Sequence, residues 1–306
     1  MKKLVSLLLL YYSLFISGQV MAQSTQWKTK PQVNFLAFTD LYYGKDFGST
    51  GKMNRSPYLY NHNRNQVLAS NLTLLQFSLK HSKYRATVGI QAGSYADDNM
   101  AMEPDYFKFI HNANLGFSLS KKDCLWIDAG VFNAHLGFEN AQSTENLTLT
   151  RSLAAEQSPY FLTGVKLNYT LSRKLAFKFL ILNGWQHIAP IKGNTLPSLG
   201  TNIQWKPVDK WLLNWSTFIG SEFPNDDRKM RYFNNLYAQY SSDKWNFIMG
   251  VDFGFQQHDK NSSNYKAWFV PTLIGQYCLN DRWKTAIRFE YFQDRAHFIV
   301  PNLDNA

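Results

Sequence analysis

The sequence predicts an all-β fold: an antiparallel up-and-down transmembrane β-barrel, with about 13 strands present. Three observations predict it. Apolar residues recur at alternate positions over runs long enough to cross a bilayer. The connections between those runs alternate strictly between short turns and long polar segments. Aromatic residues flank the short turns in one repeated register.

The N-terminus, "MKKLVSLLLLYYSLFISGQVMAQS", is set apart from this pattern. Lys2 and Lys3 form a basic region, Leu4 to Ile16 is an almost unbroken apolar run, and Val20 and Ala22 stand in V-x-A spacing. These are the parts of a secretory signal peptide, with cleavage after Ala22. The competing reading is an N-terminal membrane anchor; no cysteine follows the run to support a lipoprotein. Residues 1–22 are therefore the signal and 23–306 the barrel. No second apolar run approaches the roughly 20 residues of a transmembrane helix.

Taken in order, the period-two runs are Val33–Tyr43, Asn71–Lys80, Tyr84–Tyr95, Phe109–Ser120, Leu125–Phe132, Tyr160–Leu171, Leu175–Gln186, Ser198–Lys206, Trp211–Ser221, Arg231–Ser241, Trp245–Gln256, Ala267–Leu279 and Trp283–Asp294. Most exceed the 5–6 residues usual in soluble strands. Ala267–Leu279 is the ambiguous one, because Pro271 interrupts it. Tight turns fall at 81–83, 121–124, 172–174, 207–210, 241–244 and 280–282. Longer polar segments fall at 44–70, 96–108, 133–159, 187–197, 222–230 and 257–266. A Greek-key sandwich has no reason to keep such an alternation, whereas a barrel with short periplasmic turns and long extracellular loops does. Trp205 and Trp211, Tyr240 and Trp245, and Tyr277 and Trp283 bracket three of the short turns, and Tyr169 precedes another. Rings at that level form a girdle at the lipid headgroups, the alternative being ordinary hairpin capping.

The two faces of each strand differ. In 245–256, Trp245, Phe247, Met249, Val251, Phe253 and Phe255 share one face, against Asn246, Ile248, Gly250, Asp252, Gly254 and Gln256. In "KLAFKFLILNGW", Phe177, Phe179, Ile181 and Trp185 oppose Lys178 and its aliphatic neighbours. Large rings pointing inward on every strand would overfill a small barrel, and a wide one would still be hollow. The apolar face is therefore expected outward, in lipid, with Lys178 facing a wet interior.

Composition narrows the partners. Aromatics make up 16% against 18% charged residues, an excess of rings that a lipid-facing wall explains. The formal net charge is +10, two of which leave with the signal peptide. No basic block or nucleic-acid motif accompanies it, so anionic lipid headgroups or solutes are the expected counterpart. Cys124 and Cys278 cannot make a disulfide scaffold, and their strands lie on opposite sides of the wall. N-x-[ST] sequons such as those at Asn71, Asn146, Asn168, Asn214 and Asn261 read as chance.

Several loop stretches carry a family resemblance: "SPYLYNHNR" (56–64), "QAGSYADDN" (91–99), "LWIDAGVFNAHLGFENA" (125–141), "LTLTRSLAAEQSPYFLTGVKLNY" (147–169), "LNGWQ" (182–186) and "MRYFNNLY" (230–237). Together they resemble the OmpL-like β-barrel porin family of Bacteroidota outer membranes, from about residue 33 onward. The resemblance implies an outer-membrane porin and carries over no catalytic residue. It also suggests that the C-terminus stops early.

The search for chemistry returns little. "GSTGK" (48–52) lacks the spacing of a phosphate loop, and neither G-x-S-x-G nor H-E-x-x-H occurs. His135 and Glu139 stand four apart, but in a loop, where that spacing fixes nothing. A barrel enzyme would need a nucleophile and base near lipid level; His111, on the expected lipid face, is the nearest candidate, and a girdle histidine is the plainer reading. The segment 133–159 is the best functional candidate, since a long loop with apolar anchors and both signs of charge can fold into a lumen and narrow it. A surface loop packed on its neighbours is the alternative.

The pore-lining or constriction candidates are Arg85, Asp128, Glu139, Arg151, Glu156, Lys166, Lys178, Asp252, Arg288 and Glu290. Arg85, Lys166, Lys178 and Arg288 against Asp40, Asp128, Asp252 and Glu290 leave no clear ion preference. The expected function is passive diffusion of small solutes, with no reaction and no cofactor. The runner-up is a structural or adhesive barrel with a blocked lumen. Outer-membrane lipids, small solutes and the barrel-assembly machinery are the expected partners, and nucleic acid is not. An odd strand count predicts that the native gene continues past Ala306 by at least one strand.

Overall fold

Alternation of ring-bearing and polar residues leaves each segment one apolar and one polar face, and a strand is the only regular backbone that keeps them apart. The computed structural model describes residues 30–48, 53–56 and 58–300. The expected signal segment and cleavage point and the residues past 300 lie outside the described residues, as do four residues of "GSTGK" and Pro57 of "SPYLYNHNR".

Among the described residues, thirteen antiparallel strands form one sheet in strict sequence order, up and down. They are β1 (Gln32–Tyr43), β2 (Leu68–Lys80), β3 (Tyr84–Ala92), β4 (Ile110–Ser118), β5 (Leu125–Asn133), β6 (Phe161–Thr170), β7 (Leu175–Leu182), β8 (Ser198–Trp205), β9 (Trp211–Ser221), β10 (Met230–Ser241), β11 (Trp245–Gln257), β12 (Tyr265–Cys278) and β13 (Lys284–Glu290). Short helices at Ser94–Asn99, Asp105–Lys108 and Leu153–Glu156 lie only in the long connections. The ladder runs through Val251↔Pro271 without a register shift, so Pro271 does not break β12.

Several strand ends fall short of the expected ones. β3 stops at Ala92 because Gly93, at φ 118°, turns the chain into the helix Ser94–Asn99, and Tyr95 becomes a buried core residue of that loop. β7 stops at Leu182, ahead of Gln186 at φ 62°, so Trp185 belongs to the following loop.

Burial assigns the faces. Phe247 and Met249 are 40% and 64% exposed, while Ser216 and Asn235 on the opposite face are fully buried. The ring-bearing face is outside and the polar face inside, the reverse of a soluble barrel. Rings join across strands at the short-turn rim: Trp211 packs on Tyr240 at 5.2 Å and Trp245 on Tyr277 at 4.5 Å.

The sheet curls around the segment 133–159. Ala155 packs with Leu72 and Leu74 of β2, while the Leu153 amide donates to Glu290 Oε2 of β13 at 2.6 Å. One short helix thus touches strands near both ends of the sheet. Among the described residues, β1 and β13 are the two sheet edges.

Candidate functional site

A polar belt runs across the inner wall toward the short-turn end. The register aligns Asn168, Lys178, Asn202, Ser216, Asn235 and Asp252 on neighbouring strands β6 to β11. Its amides and hydroxyls bond to one another: Asn202 Nδ2 donates to Ser216 Oγ at 2.9 Å, and Asn235 Nδ2 to Asp252 Oδ1 at 2.5 Å. The next inward row toward the long loops is apolar on one side of the barrel, with Leu180, Phe218, Phe233 and Trp268 packed on Phe132, Leu136 and Ala154.

The segment 133–159 is seated on both rows. His135 Nε2–H donates to the Thr217 carbonyl at 2.8 Å, and Ser216 Oγ donates to the His135 carbonyl at 2.7 Å. The Gly137 amide donates to Asn235 Oδ1 at 3.2 Å. Two wall glycines make room: a Cβ on Gly200 would lie 2.6 Å from the His135 ring, and one on Gly250 2.6 Å from the Phe138 ring. Farther on, Gln276 Nε2 donates to the Leu147 carbonyl at 2.7 Å. The segment therefore crosses the barrel interior from β5 to β13.

The ten candidate residues divide into groups. Arg85 grips Asp128 with two hydrogen bonds of 2.6 and 2.5 Å, and Asn168 Nδ2 adds a third to the same carboxylate. Arg288 Nε donates to Glu290 Oε1 at 3.0 Å and its Nη1 to the Thr150 carbonyl at 2.7 Å, so this pair clamps the loop to β13. Glu139 accepts from the amide and hydroxyl of Ser152, and its burial raises its pKa. Arg151, 2% exposed, donates to the carbonyls of Asn140, Leu149 and Ala141 and thus holds the loop's shape. Glu156 accepts from the amides of Tyr60 at 2.7 Å and Asn61 at 3.2 Å. Burial pushes its pKa up to about 7, against those bonds. Lys166 lies 4.2 Å over the Phe132 ring, and Lys178 lines a cavity. Asp252 stays on the polar belt, apart from the loop charges.

That cavity, of about 350 Å³, lies between residues 133–147 of the loop and the wall, where Lys178, Gln204, Tyr237 and Gln239 line it. His111 lines it too, which corrects the expected lipid-facing position. The register of β3 and β4 shifts between Gly89 and Ile90, and this irregularity turns His111 inward, where Nδ1 meets Gln91 Oε1 at 2.8 Å. Period-two counting misses such a residue because a bulge inverts the alternation after it.

A second cluster escaped sequence reasoning. His187 Nε2 pairs with Glu222 at 2.9 Å and its Nδ1 with Glu103 at 3.5 Å. Burial opposes the imidazolium, but the two carboxylates outweigh it and push the His187 pKa up to about 9. Glu103 also accepts from the Ile188 and Ala189 amides, so three long connections are tied at the loop rim. The residues lie far apart in sequence, and no local spacing announces them.

An outward apolar wall, an aromatic rim, a polar interior and a loop folded across it define a porin-type β-barrel of the outer membrane. The chain belongs to the OmpL-like beta-barrel porin-2 family, whose model matches residues 32–305. Among solved structures it is similar to the outer membrane channel DcaP of Acinetobacter baumannii, at 11% identity and TM-score 0.52, over 89% of this chain and 82% of that one. It is also similar to an anion-selective porin from Comamonas acidovorans, at 8% identity and TM-score 0.56, over 87% of this chain and 80% of that one. At these identities the likeness is one of fold. A comparison with curated proteins found no match.

Proposed function

We propose that this protein lets small solutes diffuse passively across the outer membrane, through a barrel narrowed by residues 133–159. The polar cavity between that loop and the wall carries the proposal. A space lined by Lys178, Gln204, Tyr237 and Gln239 keeps water and offers a hydrated solute replacement hydrogen bonds, as a diffusion pore requires. Transport would follow from bore and charge, with the loop setting both. A second reading, a barrel with a blocked lumen, is favoured by the apolar row of Phe218, Phe233 and Trp268, which packs against the loop and closes that part of the section. Conductance in planar bilayers separates the two. Steady single-channel steps that grow when Glu139–Glu156 is deleted support the loop-narrowed pore. Silence from protein shown to be folded by its heat-dependent gel mobility supports the blocked barrel.

A further inference from the structure

Arg231 stands at the start of β10, opposite Gly220 of β9 and Gln256 of β11. It is 7% exposed. Its guanidinium lies between two indoles, 5.1 Å from the Trp185 ring and 5.8 Å from the Trp268 ring. Its Nε–H donates to Gln256 Oε1 at 2.8 Å. Among the described residues, no carboxylate comes within ion-pair distance of it. The acids nearest in effect are Glu222 and Asp294, and both are committed elsewhere. Glu222 accepts from the Trp185 amide and pairs with His187. Asp294 accepts from the amides of Phe298, Ile299 and Val300. The two Nη groups of Arg231 thus have no protein acceptor among the described residues.

A buried guanidinium without a carboxylate is costly unless a ligand completes it. Arg231 does not face a sealed core. It lines a cavity of about 220 Å³ on the long-loop side, together with Trp185, His187, Tyr60, Met102 and Glu156. The indoles fix the guanidinium plane, so its open edge is preorganised for a planar, two-oxygen anion. Trp185 and Met102 give the same cavity an apolar side. Glu156 in the wall disfavours a second negative charge on the ligand.

We propose that this cavity is a binding site for a small organic monocarboxylate, its two oxygens on the Nη groups of Arg231 and its apolar body against Trp185 and Met102. The site goes beyond the diffusion reading: binding at the loop rim does not require the lumen to conduct.

Titration of the refolded full-length protein in detergent, followed by ligand-observed NMR, tests the site with benzoate as probe and neutral benzamide as its isostere. Benzoate should bind saturably and at least tenfold more tightly than benzamide. Arg231→Gln should erase that difference, and Arg231→Lys should weaken benzoate binding while leaving some preference for the anion. Equal binding of the two probes, or binding of neither, to wild-type protein would overturn the proposal without any variant. Tighter binding of inorganic phosphate than of benzoate would overturn the monocarboxylate assignment. Because no step needs conduction, failure here leaves the porin reading standing, and a silent bilayer leaves this one standing.

Discussion

A lysine moved along the outer face of β11 should cost more the deeper it goes. The strand starts at Trp245, in the aromatic rim, and its ladder to β10 and β12 is unbroken from Asn246 through Gln256. Each residue advances about 3.4 Å along a strand, or roughly 2.4 Å along the membrane normal at a tilt near 45°. Phe247 therefore lies about 5 Å inside the rim and Val251 about 14 Å inside, near the middle of an apolar band roughly 25 Å tall. Val251→Lys should cost about 2–4 kcal/mol, and Phe247→Lys about 1 kcal/mol or a little more. At about 1.4 kcal/mol per tenfold, the deeper substitution lowers the folded-to-unfolded ratio by roughly 30- to 700-fold. Asn246→Lys, one residue away but facing inward, should cost about 1 kcal/mol or less, the worth of one hydrogen bond to Gln276. Urea titration of protein folded into lipid vesicles, read by gel mobility without boiling, measures all three. Equal costs at 246 and 251 would refute the face assignment, and a larger cost at 246 would mean that the sheet is inside out.

Two further outcomes follow from the loop. Burial lifts the Glu156 pKa from 4.5 to about 7, so the folded state holds that proton more tightly than the unfolded chain. The associated stability, on the order of 3 kcal/mol, is fully present below pH 4.5 and is lost as pH rises through 7. The urea midpoint should fall between pH 5 and 8, and the Glu156→Gln variant should lose that slope; a slope unchanged by the substitution would clear Glu156 of it. Gly250→Ala puts a methyl where the Phe138 ring sits, so the loop must lift. Protease cleavage within 133–159 should speed up while the barrel's heat-dependent mobility persists, and unchanged protection would show that the ring yields without moving the loop.

The wall was legible in the sequence because its signal is local. Alternation places Lys178, Asp252 and Phe247 on their faces without knowledge of any distant residue, and a short turn fixes the register of its hairpin. Signals failed where backbone geometry resets the count. Gly93 and Gln186, with positive φ, stand where hydropathy would continue a strand. The shifted register at Gly89/Ile90 turns His111 from lipid to interior. The sites made by closure were not legible at all. Glu156 meets the amides of Tyr60 and Asn61, and Arg231 fits between Trp185 and Trp268, only because the sheet curls and its long connections converge. A sequence window holds one partner of each pair.

The apolar row inside the barrel bears on whether the lumen is open. Barrels of about eight strands fill with wall side chains, and those of roughly 16–18 leave a channel; the described residues alone supply thirteen strands, too many for wall side chains to fill the interior. Something must cross the space, and residues 133–159 do so by charge, hydrogen bond and apolar contact together. The cluster of Leu180, Phe218, Phe233 and Trp268 takes Phe132, Leu136 and Ala154 from the crossing segment and its base. These contacts give the loop its anchor on one side of the barrel. On the β2 side Ala141 and Ala155 make a second apolar anchor with Leu72 and Leu74, at β13 Arg288 and Glu290 hold the loop by hydrogen bonds, and beneath it the wall stays polar. A plug that merely closed the barrel would gain most by extending apolar contact over the whole section. Apolar contact gathered into separate clusters, with Lys178 and the neighbouring amides left facing a cavity, is the arrangement that seats a loop and leaves space beside it.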